Sequence, residues 1–157
     1  PPRSTLFPYT TLFRSPEDAG FVVDIETRFR DLDAMGHVNN AVYFTYFEEG
    51  RKYFFHHLMQ SKSIADFPFI LAHAECDYLR PAGLSDPLSI MMWISEMGAK
   101  SFSLSYQLVL RKDSSVVFAR GLTVQVSYDY ENRRTTPIPA ELRAKLERYM
   151  PAGAQAK

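Results

Sequence analysis

A chain of 157 residues has room for one sizeable core and little more. Its 18 basic residues balance 18 acidic ones, which argues against a nucleic-acid binder that works through bulk charge. The one cysteine, Cys76, excludes a disulfide framework and a cysteine-rich zinc site, and no run approaches the roughly 18 apolar residues of a membrane span.

Residues 1–15, PPRSTLFPYTTLFRS, carry no helical or strand period, and Thr-Leu-Phe occurs in them twice. Their apolar runs are too short for a signal-peptide core. The stretch resembles a translated sequencing adapter and is set aside as a non-native or disordered segment. The folded domain is expected over residues 16–150, with a frayed tail at 151–157. A reducing cytoplasm suits a chain with a single cysteine.

Regular patterning starts at Phe21. Phe21 to Arg30 places Val23, Ile25, Thr27 and Phe29 on one face, as in a strand with one buried side. Asp31 to Val38 is a loop containing Gly36, and Asn39 or Asn40 can cap the element that follows. Residues 41–59 read as one long helix with an apolar stripe through Tyr43, Phe47, Gly50, Phe54 and Leu58. Gly50 should cost about 1 kcal/mol of helix propensity, and its small size would let the helix lie close to its neighbour.

Four strands follow. They are expected at Phe69 to Arg80, Leu88 to Met97, Ser101 to Leu110 and Val116 to Tyr128, with a short helix over Ala140 to Tyr149. The last three are joined by tight turns and form an antiparallel meander. One long helix and five strands bury best if the sheet curls around the helix, giving an α+β fold. A single wrapped sheet leaves edges open, so a second copy pairing edge to edge is a physical expectation.

The chemistry gathers in Arg28 to Arg51, RFRDLDAMGHVNNAVYFTYFEEGR. Asp31 and Asp33 end a strand, Gly36 and His37 follow, and a helix begins. Free amides at a helix start favour negative charge and can hold a carbonyl oxygen as charge builds on it. A carboxylate beside them can attack that carbonyl or deprotonate a water that does. From the loop alone, both aspartates can equally be turn residues.

The motifs D-x-D-x-x-G-H-V-N-N, Y-F-x-Y-F-E-E-x-R, Y-L-R-P-A and P-I-P resemble those of hotdog-fold acyl-CoA thioesterases of the 4-hydroxybenzoyl-CoA thioesterase type, over about residues 21–150. The resemblance implies a hotdog fold, with an antiparallel sheet of about five strands wrapped around one central helix and a short C-terminal helix. It implies an acyl-CoA substrate, a homodimer that can build a homotetramer, and no metal or redox cofactor. It makes Asp33 the catalytic carboxylate, puts the carbonyl-polarising amide at Asn40 and keeps Asp31 structural. H-V-N-N also resembles plant acyl-ACP thioesterases, which implicates His37, although Met35 stands where those enzymes carry Asn. Another hotdog branch uses a carboxylate inside the helix, which holds Glu48 in reserve. Tyr43 and Phe47, with Phe44, would line an acyl pocket unless they serve as core. Arg80, Lys100 and Ser101 are candidate contacts for the CoA arm, as are Arg111, Lys112, Arg133 and Arg134 by position.

Two other readings of the function stand beside hydrolysis. One is a non-catalytic acyl-thioester binding module. The other is a hydratase or dehydratase, whose Asp-x4-His signature is absent here. A calcium loop fails because Met35 and Val42 occupy ligand positions. His56 and His57 are adjacent and make a poor metal pair, and His73 shares a polar strand face with Glu75 and Asp77. Cys76 falls among apolar even positions of its strand and is expected to be buried and inert.

Overall fold

A computed structural model of the chain describes residues 20–60 and 67–152. The expectations for residues 1–15 and 153–157 lie outside these. The elements are β1 (Phe21–Ile25), a 3-10 turn (Phe29–Asp31), α1 (Val42–Met59), β2 (Phe69–Tyr78), β3 (Leu88–Met97), β4 (Ser101–Leu110), β5 (Asp113–Asp129), β6 (Arg134–Thr135) and α2 (Ala140–Glu147). All strand pairs are antiparallel, in the order β1-β3-β4-β5-β2, with the two-residue β6 added on β5. The expected strand, helix and four-strand order is the observed one.

The core lies between α1 and the inner face of the sheet. Phe102, Leu104, Tyr106 and Leu108 of β4 are buried at every second position, as the alternation predicts. On α1, Tyr43, Tyr46, Phe47, Gly50, Phe54, Phe55 and Leu58 are buried, recurring at spacings of three and four, so one broad face of the helix lies on the sheet. Gly50 meets the sheet closely: a Cβ there would sit 3.1 Å from Ile90 Cγ2 and would press on Met92 Cε. The tyrosine of the β4 core is satisfied, since the Tyr106 hydroxyl lies 2.7 Å from Thr123 Oγ1.

Several boundaries differ from the sequence expectation. β1 stops at Ile25 instead of running to Arg30. Asp31 Oδ2 accepts a hydrogen bond from the Arg28 N–H at 2.8 Å, which turns the chain into the 3-10 segment. Phe29, expected on the buried face, is 82% exposed. β2 ends at Tyr78 rather than Arg80, because the Leu79 and Arg80 amides both turn to the Phe118 carbonyl. β5 starts at Asp113, so the turn before it is Arg111-Lys112 alone. α2 ends at Glu147, two residues early.

β2 is the larger correction. It is an edge strand, paired to β5 on one side only. A register shift between Leu71 and His73 changes its parity, and most of its residues are exposed. Cys76 is therefore half-buried rather than fully enclosed. Burial still pushes its thiol up to about 11 from 9.0. A rise of this size lowers the thiolate fraction about a hundredfold near neutral pH. Alkylation of Cys76 by iodoacetamide at pH 7.5 is expected to run far slower than that of a free cysteine, read by mass spectrometry over time. Labelling at the free rate would contradict it.

Candidate active site

The loop from Asp31 to Ala41 is tied together by its own acceptors. Asp31 Oδ2 also accepts from the Tyr46 hydroxyl at 3.0 Å. Burial first, and then this carboxylate, push the Tyr46 phenol up to about 12. Asp31 thus holds strand end, loop and helix together, as its structural role implies. The backbone adds bonds from Asp33 N–H to the His37 carbonyl (2.7 Å), from Val38 N–H to the Ala82 carbonyl (2.8 Å) and from Asn39 N–H to the Asp31 carbonyl (2.8 Å). Gly36 turns the chain with φ 78°, a left-handed conformation that suits glycine. These ties bring the segment after β2 against the loop, with a bridge between His37 and Gly83.

Asp33 is used differently from Asp31. Its Oδ1 accepts from the Met35 N–H at 2.8 Å and the His37 N–H at 3.2 Å. Among the described residues its Oδ2 has no hydrogen-bond partner. The carboxylate is held at one oxygen and presents the other.

The helix start has a matching arrangement. The Asn39 amide is taken by Asp31, the Ala41 amide by Asn39 Oδ1 at 2.9 Å, and the Val42 amide by the Asn39 carbonyl at 2.9 Å. Asn39 is therefore the side chain that satisfies an amide two residues on, one of the two expected capping residues. Among the described residues the Asn40 N–H alone in this run of four has no partner. The Asn40 carbonyl accepts from the Tyr78 hydroxyl at 2.9 Å.

Asp33, His37, Asn40, Tyr43 and Arg80, five of the residues expected at the site, line one open cleft of about 460 Å³. Other expected residues are placed elsewhere. Phe47 is fully buried and stacks on Tyr106 with ring centres 4.7 Å apart, so within one chain it serves the core. Glu48 is exposed on α1 and is not among the residues of the cleft. Lys100, in the turn before β4, and Ser101, the first residue of β4, lie beside the Ser127 end of β5, whereas the cleft lies at the Ala119 end. Arg111 is occupied at Asp24 (3.3 Å) and Glu26 (3.4 Å), tying β1 to the end of β4. His73 pairs with Glu75 at 3.1 Å on an exposed face, as expected.

Residues 27–146 match the model of a family described as the thioesterase-like superfamily. The chain belongs to that superfamily. This thioesterase-like chain is 34% identical over 128 residues to the long-chain acyl-CoA thioesterase FadM of Escherichia coli, covering 78% of the chain and 94% of that protein. It is 28% identical to a 1,4-dihydroxy-2-naphthoyl-CoA hydrolase of Nostoc punctiforme, covering 81% of the chain and 86% of that protein. Among solved structures it resembles a predicted thioesterase from Bacillus stearothermophilus (TM-score 0.77, 25% identity, 83% and 96% covered). It also resembles a Thermus thermophilus thioesterase complexed with coenzyme A and Zn (TM-score 0.71, 31% identity, 80% and 90% covered). The hotdog fold and the thioesterase class implied by the loop motif agree with these relatives.

Met35, Val38, Tyr78, Leu79 and Pro81 complete the cleft of this thioesterase-like chain, and sequence reasoning gave none of them a place at the site. Tyr78, Leu79 and Pro81 lie within the Y-L-R-P-A block, which carried the family resemblance but no chemistry of its own.

Proposed function

We propose that this protein hydrolyses an acyl-CoA thioester to the free acid and CoA. The observation that carries the reading is one cleft lined by Asp33 and Asn40, whose Oδ2 and N–H have no hydrogen-bond partner among the described residues. The amide would hold the thioester carbonyl oxygen as negative charge builds on it. The Asp33 carboxylate would attack the carbonyl carbon, or take a proton from the water that does. The carbon–sulfur bond then breaks, water supplies the hydroxyl of the acid, and a proton goes to the CoA sulfur. His37 is the other titratable side chain of the loop on this cleft. The relatives named for long-chain acyl-CoA and for 1,4-dihydroxy-2-naphthoyl-CoA support the substrate class and differ in the acyl group.

The active form in this reading is a dimer joined along β2. A ten-residue strand with one open edge is a ready template for a second chain. Antiparallel pairing of two β2 strands about a two-fold axis sets the Tyr78 end of one beside the Phe69 end of the other. The Phe69 end adjoins Ser127, and Ser127 adjoins the turn of Lys100 and Ser101. Lys100 and Ser101, distant from the cleft of their own chain, would reach the cleft of the second copy. Arg80 would meet the CoA arm from the cleft's own side. Such pairing would leave fewer open edges, and a reducing cytoplasm suits the single cysteine. Among the described residues no helix is long and apolar enough to cross a membrane.

The test is release of free CoA across a panel of short, long, branched and aromatic acyl-CoAs, with solution mass measured on the same sample. Turnover on at least one class is expected, at a mass twice the 18.0 kDa of one chain or a higher even multiple. A protein that binds an acyl-CoA without cleaving it would instead be a binding module. A fully active monomer would remove the β2 pairing from the reading.

A further inference from the structure

Tyr78 joins three features that are otherwise separate. It is the last residue of the open edge strand, it lines the cleft, and its hydroxyl donates to the Asn40 carbonyl at 2.9 Å. Its ring also meets Tyr43 edge-on, with centres 5.0 Å apart at 88°, and Tyr43 lies in the first turn of α1. The peptide group joining Asn40 to Ala41 is thus held at both ends. Its carbonyl takes the Tyr78 hydroxyl, and its N–H is held by Asn39 Oδ1 at 2.9 Å. The amide without a partner among the described residues, Asn40 N–H, belongs to the peptide immediately before it.

A peptide plane clamped at both ends cannot rotate freely, and this restrains the residue it shares with its neighbour. Asn40 is that shared residue. The plane that carries the Asn40 N–H is itself held at the Asn39 carbonyl by the Val42 N–H at 2.9 Å, so with both planes held, φ and ψ of Asn40 have little play and its N–H keeps one direction. Preorganised donors lower a barrier because they need no reorientation as charge develops. The hydroxyl also does this from the strand edge where a second copy is expected to pair. A strand end that is steadied by pairing would steady the clamp.

The geometry points to Tyr78 as a positioning residue that aims the Asn40 N–H at the thioester carbonyl and links the β2 edge to the reacting centre. This rests on the reading of the cleft as a thioester-hydrolysing site. Tyr78 does not touch the reacting atoms in this assignment. It acts through the backbone of Asn40.

The experiment is steady-state hydrolysis by wild type, Tyr78→Phe and Asn39→Ala, each the full chain, on the best acyl-CoA of the panel. Tyr78 is half exposed, so the loss of one hydroxyl leaves the core intact. Tyr78→Phe is expected to lower kcat about tenfold with KM within about threefold, because removal of a whole oxyanion donor costs about a hundredfold or more and a loosened one costs less. Solution mass and thermal midpoint should stay at the wild-type values. Asn39→Ala, which releases the other end of the same peptide, should show the same split between kcat and KM. The loss in the double variant should fall short of the product of the single losses, as expected for two groups that hold one plane.

An unchanged kcat in Tyr78→Phe overturns the assignment. So does a loss that appears only with dissociation to monomers, since the hydroxyl would then serve the strand. If Tyr78→Phe fails to fold, Asn39→Ala with wild-type kcat overturns the clamp by itself. A wild type that cleaves none of the panel overturns the hydrolytic reading beneath it, and the positioning role with it.

Discussion

Replacing Asp33 by Asn is expected to remove a factor of about 10² to 10⁴ from kcat while the protein keeps its fold. The geometry makes this a clean substitution. Asp33 Oδ1 is the atom that holds the loop, through the Met35 and His37 amides. An asparagine keeps that oxygen and both bonds. It replaces the other oxygen by an NH₂ group, which is neither a nucleophile for a thioester nor a base for water. Asp33→Ala is the useful contrast. It also loses the loop acceptor, and each backbone amide left without its partner adds about 1 kcal/mol of destabilisation at a part-exposed site. The asparagine variant should therefore separate chemistry from structure, and the alanine variant should not. The measurement is kcat and KM for CoA release, with the thermal midpoint followed in parallel. An asparagine variant as active as wild type would reduce Asp33 to a loop tie. The next carboxylate to test would then be Glu48, which stands exposed on α1.

How far the sequence could carry this differs from element to element. The order of strands and helix was legible because periods of two and of 3.6 persist through β4 and α1. The residue types of the loop were legible too: two acids, a glycine, a histidine and two asparagines before a helix. Their division of labour was not. Asp31 and Asp33 look alike as letters. Only the structure shows one carboxylate spent on Arg28 and Tyr46 and the other held at a single oxygen by the Met35 and His37 amides.

The exposure of β2 was hidden for a different reason. Its composition resembles that of its neighbours, but strand burial depends on position in the sheet, and strand order is not written in local pattern. The same gap hides Tyr78, whose role depends on a residue 38 positions away in sequence. It also explains Lys100 and Ser101. Their spacing places them in a turn, and only the sheet order puts that turn at the far end from Asp33.

The fit between α1 and the sheet yields the other large effect, at Gly121. This glycine lies on β5 opposite Tyr106, on the inner face. A Cβ there would stand 2.6 Å from Phe47 Cζ and 3.1 Å from Phe47 Cδ2, and would press on Cε2 as well. Phe47 cannot give way easily. It is fully buried, stacked on Tyr106, and held edge-on by Phe44 at 6.2 Å. Alanine is intrinsically favoured over glycine in a strand by about 0.5–1 kcal/mol. Overpacking of a rigid ring costs about 1–3 kcal/mol or more and should win. Gly121→Ala is expected to lose about 2 kcal/mol net of that gain, which for a domain of this size lowers the thermal midpoint by about 4–8 °C.

Gly50→Ala is the internal control. The Cβ it adds presses on the terminal methyl of Met92, the far end of an unbranched chain, and meets Ile90 Cγ2 at 3.1 Å, while alanine recovers about 1 kcal/mol of helix propensity. It should lie within about 1 kcal/mol of wild type. Phe47→Leu added to Gly121→Ala opens the contact and should recover part of the loss, which a backbone effect at residue 121 would not allow. Phe47 lies one turn beyond Tyr43 on α1, so a helix lifted off β5 also tilts the start that carries the Asn40 amide. Activity of Gly121→Ala should accordingly fall at temperatures where the variant is still folded. A Gly121→Ala protein with wild-type stability would mean that α1 rides higher over the sheet than these contacts imply, and that the helix start is aimed by its loop alone.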